Sequence, residues 1–300
     1  MPDLTSLLLA GARWLTYLSV LLVVGGAGAR VVVARASTAT AVDVVKGVLF
    51  ARIERTARLG AWLWCASVGC TLAIQLFAWF GADGMLDSEN VGVMISGTVW
   101  GQGWQWTAIG SCGTLALFIA ARVAPPLSVL VLFGSAGAVA VISPLIGHGG
   151  SHGTVVWMLH AAHLLGAGLW IGTLGVLLRT IGVRPHSEVL RPLLVSLSPV
   201  ALTGASIAVA TGSILALEHF PSLSSVVDTA FGITLLVKIF VVLDLIALGY
   251  LNWKVFGPRA MSDGGRAKLI NVAIAEAALG FVLVLAITAW LSGLPIPGSG

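Results

Sequence analysis

Apolar residues run through this chain in long blocks, and polar positions fall in the intervals between them. Each block approaches or exceeds the ~20 residues that a helix rising 1.5 Å per residue needs to cross a hydrocarbon core. The pattern predicts eight helices near residues 8–29, 59–80, 105–122, 127–147, 154–178, 194–217, 231–253 and 269–292. The fold class expected is an all-α membrane protein, a polytopic bundle of about eight transmembrane helices. Residues 1–300 form a single transmembrane domain on this reading, with the lipid bilayer as its first partner.

The intervals are not alike. Arg30, Arg35, Lys46, Arg52, Arg55 and Arg58 follow the first helix, and Arg122 precedes the turn at Pro125-Pro126. Arg179, Arg184 and Arg191 follow the fifth helix, and Lys254, Arg259, Arg266 and Lys268 the seventh. The alternate intervals, 81–104, 148–153 and 218–230, contain no Lys or Arg. The positive-inside rule puts the four basic intervals in the cytoplasm and both termini outside. Composition agrees: 58% of the 300 residues are hydrophobic and 9% charged, against about 25% charged in soluble domains. The net charge of +4 is spread over short loops, not gathered on one face, so nucleic acid is excluded as a partner. Asp3 at the start and a long first apolar run argue against a cleavable signal. A multi-pass protein of a bacterial cytoplasmic (inner) membrane is expected, and oligomers are compatible with it.

A weak internal duplication divides the chain into halves 1–147 and 148–300. Thr98-Val-Trp100-Gly101 and Thr229-Ala-Phe231-Gly232 each open an odd-numbered helix at the outer surface. Gly25 and Gly172 occupy comparable places in the first and fifth helices. Counting back from them sets Arg13 against His160 and Thr16 against His163. Two four-helix halves in parallel orientation, an arrangement known in transporters, would make a central interface.

Four of the six histidines fall between His148 and His163. His148 and His152 lie in the outer interval, His160 and His163 one turn apart within the fifth helix, about 9–14 Å below its start. An ionisable or metal-binding side chain inside a membrane helix is costly and points to function. The i, i+3 spacing places His160 and His163 on one face. Met158 lies near the outer end of that helix and Met94 in the outer interval before the third. Imidazole with thioether suits copper, the thioether especially Cu(I). Magnesium and calcium want an oxygen cage, and zinc would need a third ligand. The candidate metal set is therefore His160, His163, His148, His152, Met158 and Met94. For the methionines, packing is the plainer alternative. Cys65, Cys70 and Cys112 show no metal spacing and read as small core residues. Trp100, Trp104 and Trp106 read as an interfacial belt.

Four further residues suggest a path: Lys238 in the outer half of the seventh helix, Asp244 in its inner half, Glu276 at similar depth in the eighth, and Trp170 below the histidines. Asp244 and Glu276 could share a proton, since like charges close together do not both ionise cheaply. The alternative is that each is hydrogen-bonded for packing. Arg13 can snorkel to the outer interface.

The run His160-x-x-His163 followed by Trp170-Ile171-Gly172-x-Leu174 resembles the signature helix of the copper resistance protein D (CopD) family. So do Thr229-x-Phe231-Gly232 with Lys238, Thr98-x-Trp100-Gly101-x-x-Trp104, and Glu276 followed by Pro295-x-Pro297. The resemblance implies an eight-helix inner-membrane protein that moves copper, often with a periplasmic copper-binding partner of the CopC type, and makes His160 and His163 the copper-handling pair. Two positions depart from the family pattern. Helix 1 has Trp14 and no histidine, and Asp244 sits where a small or apolar residue is expected.

The resulting expectation is copper ion transport, as Cu(I) or Cu(II), with uptake from the outer side, and no enzyme activity. There is no G-x-x-x-x-G-K-[ST] loop, nucleophile elbow or zincin motif. The alternative is a haem b membrane redox or sensor protein using the same histidines as axial ligands.

Overall fold

The computed structural model describes residues 4–146, 153–182, 187–218, 224–256 and 263–294. Among them every element is helical: α1 (Leu4–Ala36), α2 (Thr40–Gly84), α3 (Ser88–Gly97), α4 (Val99–Ala120), α5 (Ser128–Ile142), α6 (Thr154–Ala167), α7 (Thr173–Ile181), α8 (Ser187–Glu218), α9 (Ser224–Asp228), α10 (Ala230–Leu251), α11 (Asp263–Ala278) and α12 (Leu285–Leu291). The expected all-α polytopic architecture is present. Among the described residues seven helical stretches are long and apolar enough to cross a membrane: Leu4–Ala36, Thr40–Gly84, Pro125–Ile146, Thr154–Ile181, Glu188–Glu218, Ala230–Val255 and Ala267–Leu291. The third predicted span is α4, 22 residues long. Gln102, Gln105 and three tryptophans in its first two turns dilute its apolar character.

α1 is the central helix. Every residue from Ser19 to Ala29 is buried, the signature of a helix surrounded on all sides. It packs against α2, α5, α8, α12 and the α6–α7 unit. Its glycines let that unit come close. A Cβ on Gly25 would sit on the backbone of Gly172, and one on Gly172 would meet the Leu21 carbonyl. Small residues at a membrane helix crossing permit this approach, and packing then holds it.

The interval 30–58 departs from its expected form as a loop. α1 continues to Ala36 and α2 begins at Thr40. The reason is a buried stripe on α2, Val42, Leu49, Ile53 and Ala57, which continues the core beyond the apolar block. Charges on these segments are also used: Arg30 pairs with Glu54 at 3.0 Å, and Arg52 Nη1 donates to the Thr180 carbonyl at 2.8 Å. At its other end α2 bends at Gly81, whose φ of 70° is one that glycine adopts without steric cost.

Among the described residues of the second half there are three π-helical segments: Gly168–Gly172 between α6 and α7, Asn252–Phe256 after α10, and Leu279–Val284 between α11 and α12. Such segments are rare and frequent at functional sites.

Candidate functional site

The two helix starts flagged as a duplication share local geometry. Thr98 and Thr229 are both extended N-caps, with φ, ψ of −123°, 150° and −117°, 148°. The Gly101 amide donates to Thr98 Oγ1 at 2.8 Å, and the Gly232 amide to Thr229 Oγ1 at 3.1 Å. In each case a short helix precedes the cap, and the glycine lies against its backbone. Gly25 and Gly172, paired as equivalents by sequence, touch each other.

These starts face one cavity of about 480 Å³. Its lining comes from the N-terminal parts of α1, α4 and α10, the second half of α6, the Ser143–Ile146 turn that follows α5, and the C-terminal parts of α2, α8 and α12. That is the end of the bundle away from the Lys- and Arg-bearing intervals. Arg13 and His160, Thr16 and His163, and Trp100 and Phe231 all line it. Each of these is a pair that the duplication sets opposite one another. Lys238 lines it too, and is close enough to His163 for their charges to interact.

His163 is held from α8. Its Nδ1 lies 2.9 Å from the Ala208 carbonyl and 3.4 Å from Thr211 Oγ1. The carbonyl can only accept, and Thr211 Oγ1 already donates to Ile207 O at 2.6 Å. The proton of the neutral ring is therefore on Nδ1, and Nε2 keeps its electron pair. A backbone carbonyl on one ring nitrogen is the usual support for an imidazole that binds metal through the other. Gly212 makes room for the ring, since a Cβ there would lie 2.9 Å from His163 Cε1.

A second polar cluster lies deeper. Trp170 is seven residues beyond His163, about 10 Å along the helix. The Glu276 carboxyl is buried, accepts from Asn252 Nδ2 at 2.8 Å and lies close enough to the Trp170 side chain to interact with it. Trp170 lies in the first π segment, Asn252 opens the second, and Glu276 sits three residues before the third.

Two family models match this sequence. Residues 1–157 match the N-terminal domain model of copper resistance protein D-like proteins. The chain belongs to the copper resistance protein D family. Residues 191–291 match the copper resistance protein D model itself. No curated protein and no solved structure matches the chain. The family resemblance therefore extends over helices 1 and 2 as well, and residues 158–190, with His160, His163 and Trp170, fall between the two matches.

Not every candidate residue of this CopD-family chain reaches the cavity. Met94 is buried beneath the start of α4, where the Thr98 hydroxyl donates to its carbonyl at 2.7 Å. Met158 is 60% exposed on α6. Neither thioether lines the cavity, because helical spacing carries Met158 off the face that holds His160 and His163. Asp244 is exposed while Val241 and Leu245 turn inward, so Glu276 meets Asn252 and Trp170 instead of Asp244. The cysteines are not core residues: Cys70 and Cys112 are exposed and Cys65 half-buried. Of the three belt tryptophans, Trp106 faces outward, Trp104 donates to Val68 O at 3.0 Å, and Trp100 lines the cavity. His148 and His152 lie outside the described residues. Among the described residues no group of three or more His, Cys, Asp or Glu side chains could hold a metal ion.

Sequence reasoning missed Asn252 as a partner of Glu276, and it treated Arg13 as an interfacial residue. Asn252 had no signal of its own, whereas the duplication had already matched Arg13 with His160.

Proposed function

We propose that this protein moves copper across the bacterial cytoplasmic membrane, from the outer side inward, through the cavity that holds His160 and His163. The observation that carries the reading is the supported imidazole of His163, with Nδ1 on the Ala208 carbonyl and its partner His160 lining the same cavity. Two neutral imidazoles suit copper in either oxidation state. Family membership supplies the link to copper. The position of the cavity, at the end away from the basic intervals, supports entry from outside.

On this reading His148 and His152, just before α6 in sequence, take up the ion from the outer side, alone or from a periplasmic CopC-type protein. Lys238 sets the charge beside His163, and Trp170 with Glu276 forms the next station about 10 Å deeper along the helix. The two family-model segments and the paired cavity residues support a single domain of two related halves, 1–147 and 148–300, with the site where they meet. The haem b alternative gains no such support. Two imidazoles one turn apart on a single helix cannot take opposed axial positions on one ring.

The test is copper content per chain after Cu(I) loading of purified protein, beside copper uptake into proteoliposomes. The His160→Ala/His163→Ala variant should lose bound copper and uptake together. Unchanged copper content and uptake in that variant would overturn the proposal, and iron in place of copper would return the haem reading.

A further inference from the structure

The cavity is charged in a way that copper alone does not explain. Among the described residues its formally charged lining residues are Arg13 from α1 and Lys238 from α10, and no Asp or Glu lines it. The ion pairs among the described residues, Arg30 with Glu54 and Lys46 with Asp43, involve neither residue. Glu276 is hydrogen-bonded elsewhere, to Asn252. Glu218, two residues past the cavity-lining Ala216, is exposed and outside the lining.

Two cations facing a cavity inside a membrane protein carry a desolvation cost that only an opposite charge offsets well. Two further positive features add to this. Trp100 and Phe231 lie in the first turns of α4 and α10 and line the cavity, so the positive ends of two 22-residue helices lie beside it. A copper cation arriving alone at His163 would also be repelled by Lys238.

We propose that this cavity is an anion-binding site, in which Arg13 and Lys238 hold a small monoanion, a halide or a carboxylate, beside the histidines. The guanidinium offers the planar fork that carboxylates match, and the ammonium a compact point charge. A volume near 480 Å³ holds the anion together with other small groups. The anion site stands on the cationic lining alone. Its role in copper handling, as the counter-charge that lets copper dwell next to Lys238, rests on the copper reading above.

The experiment uses the full chain, purified metal-free in a neutral detergent. Sodium bromide and sodium acetate are titrated separately at constant ionic strength against a bulky sulfonate salt. Calorimetry and tryptophan fluorescence, to which cavity-lining Trp100 contributes, read the binding. Wild type should bind one anion per chain saturably. Arg13→Gln and Lys238→Gln should each weaken it about tenfold, as expected for loss of one charge-assisted contact. Lys238→Arg, which keeps the charge, should retain it, as should His160→Ala/His163→Ala. Saturable bromide binding alone identifies a halide site, and saturable acetate binding a carboxylate site. No saturable binding of either anion, or binding unchanged in both Gln variants, overturns the proposal. Copper loading is measured separately, so anion binding without copper binding would overturn the copper reading and leave the anion site standing.

Discussion

Replacing Gly172 by alanine probes the contact that joins the two halves. The added methyl would overlap the Leu21 carbonyl oxygen and lie 3.2 Å from the Gly25 Cα. Carbon atoms pack comfortably at about 3.5–4.0 Å, so α1 and the Gly168–Gly172 segment must separate by up to about 1 Å. Overpacking of this kind costs about 1–3 kcal/mol. At roughly 2–4 °C per kcal/mol for a domain of 150–250 residues, the unfolding temperature should fall by about 5 °C. Gly25→Ala forces the same separation from the other side, so the double variant should lose less than the two losses added together. The effect should reach the proposed copper site, since His163 and His160 lie about 14 and 18 Å along the same helix from Gly172. Thermal unfolding in detergent and copper content per chain are the two assays. If both single variants unfold within about 1 °C of wild type, the two backbones are not in contact and the central crossing is wrong.

Two other expectations follow from the site. Thr98→Ala and Thr229→Ala each remove an N-cap hydrogen bond, so each should destabilise the protein by about 0.5–2 kcal/mol, read by thermal unfolding; similar losses would support the equivalence of the two helix starts, and no loss in either would refute the capping role. Met158→Leu and Met94→Leu should leave copper content unchanged, because neither thioether lines the cavity. A copper loss in Met158→Leu would return that residue to the ligand set.

Much of this architecture was legible along the chain. Long apolar blocks without strand-like alternation leave the helix as the only element that satisfies its own backbone in lipid. The i, i+3 spacing of His160 and His163 fixes their common face whatever surrounds them. Thr98-x-x-Gly101 and Thr229-x-x-Gly232 mark two helix starts because a threonine hydroxyl caps an amide three residues on. The matching of Gly25 with Gly172, and hence of Arg13 with His160, is likewise readable from residue spacing.

What faces what came only with tertiary structure. A helix that is apolar all round has no pattern to say which side meets lipid and which meets protein, since lipid tails are as apolar as leucine. That is why Met158 and Asp244 could be placed at the right depth and still face outward, and why Trp100 could be read as belt when it lines the cavity. It is also why the partners of His163 and Glu276, Ala208 and Asn252, lie 45 and 24 residues away with no local signal to announce them. The sequence by itself determined the helical class and the spacing of the histidines, because these depend on neighbours along the chain, whereas helix ends such as Ala36 and Thr40 followed the packing of α1 on α2. The cavity, its two cations and the orientation of its imidazole were decided by the packing of several helices around one space.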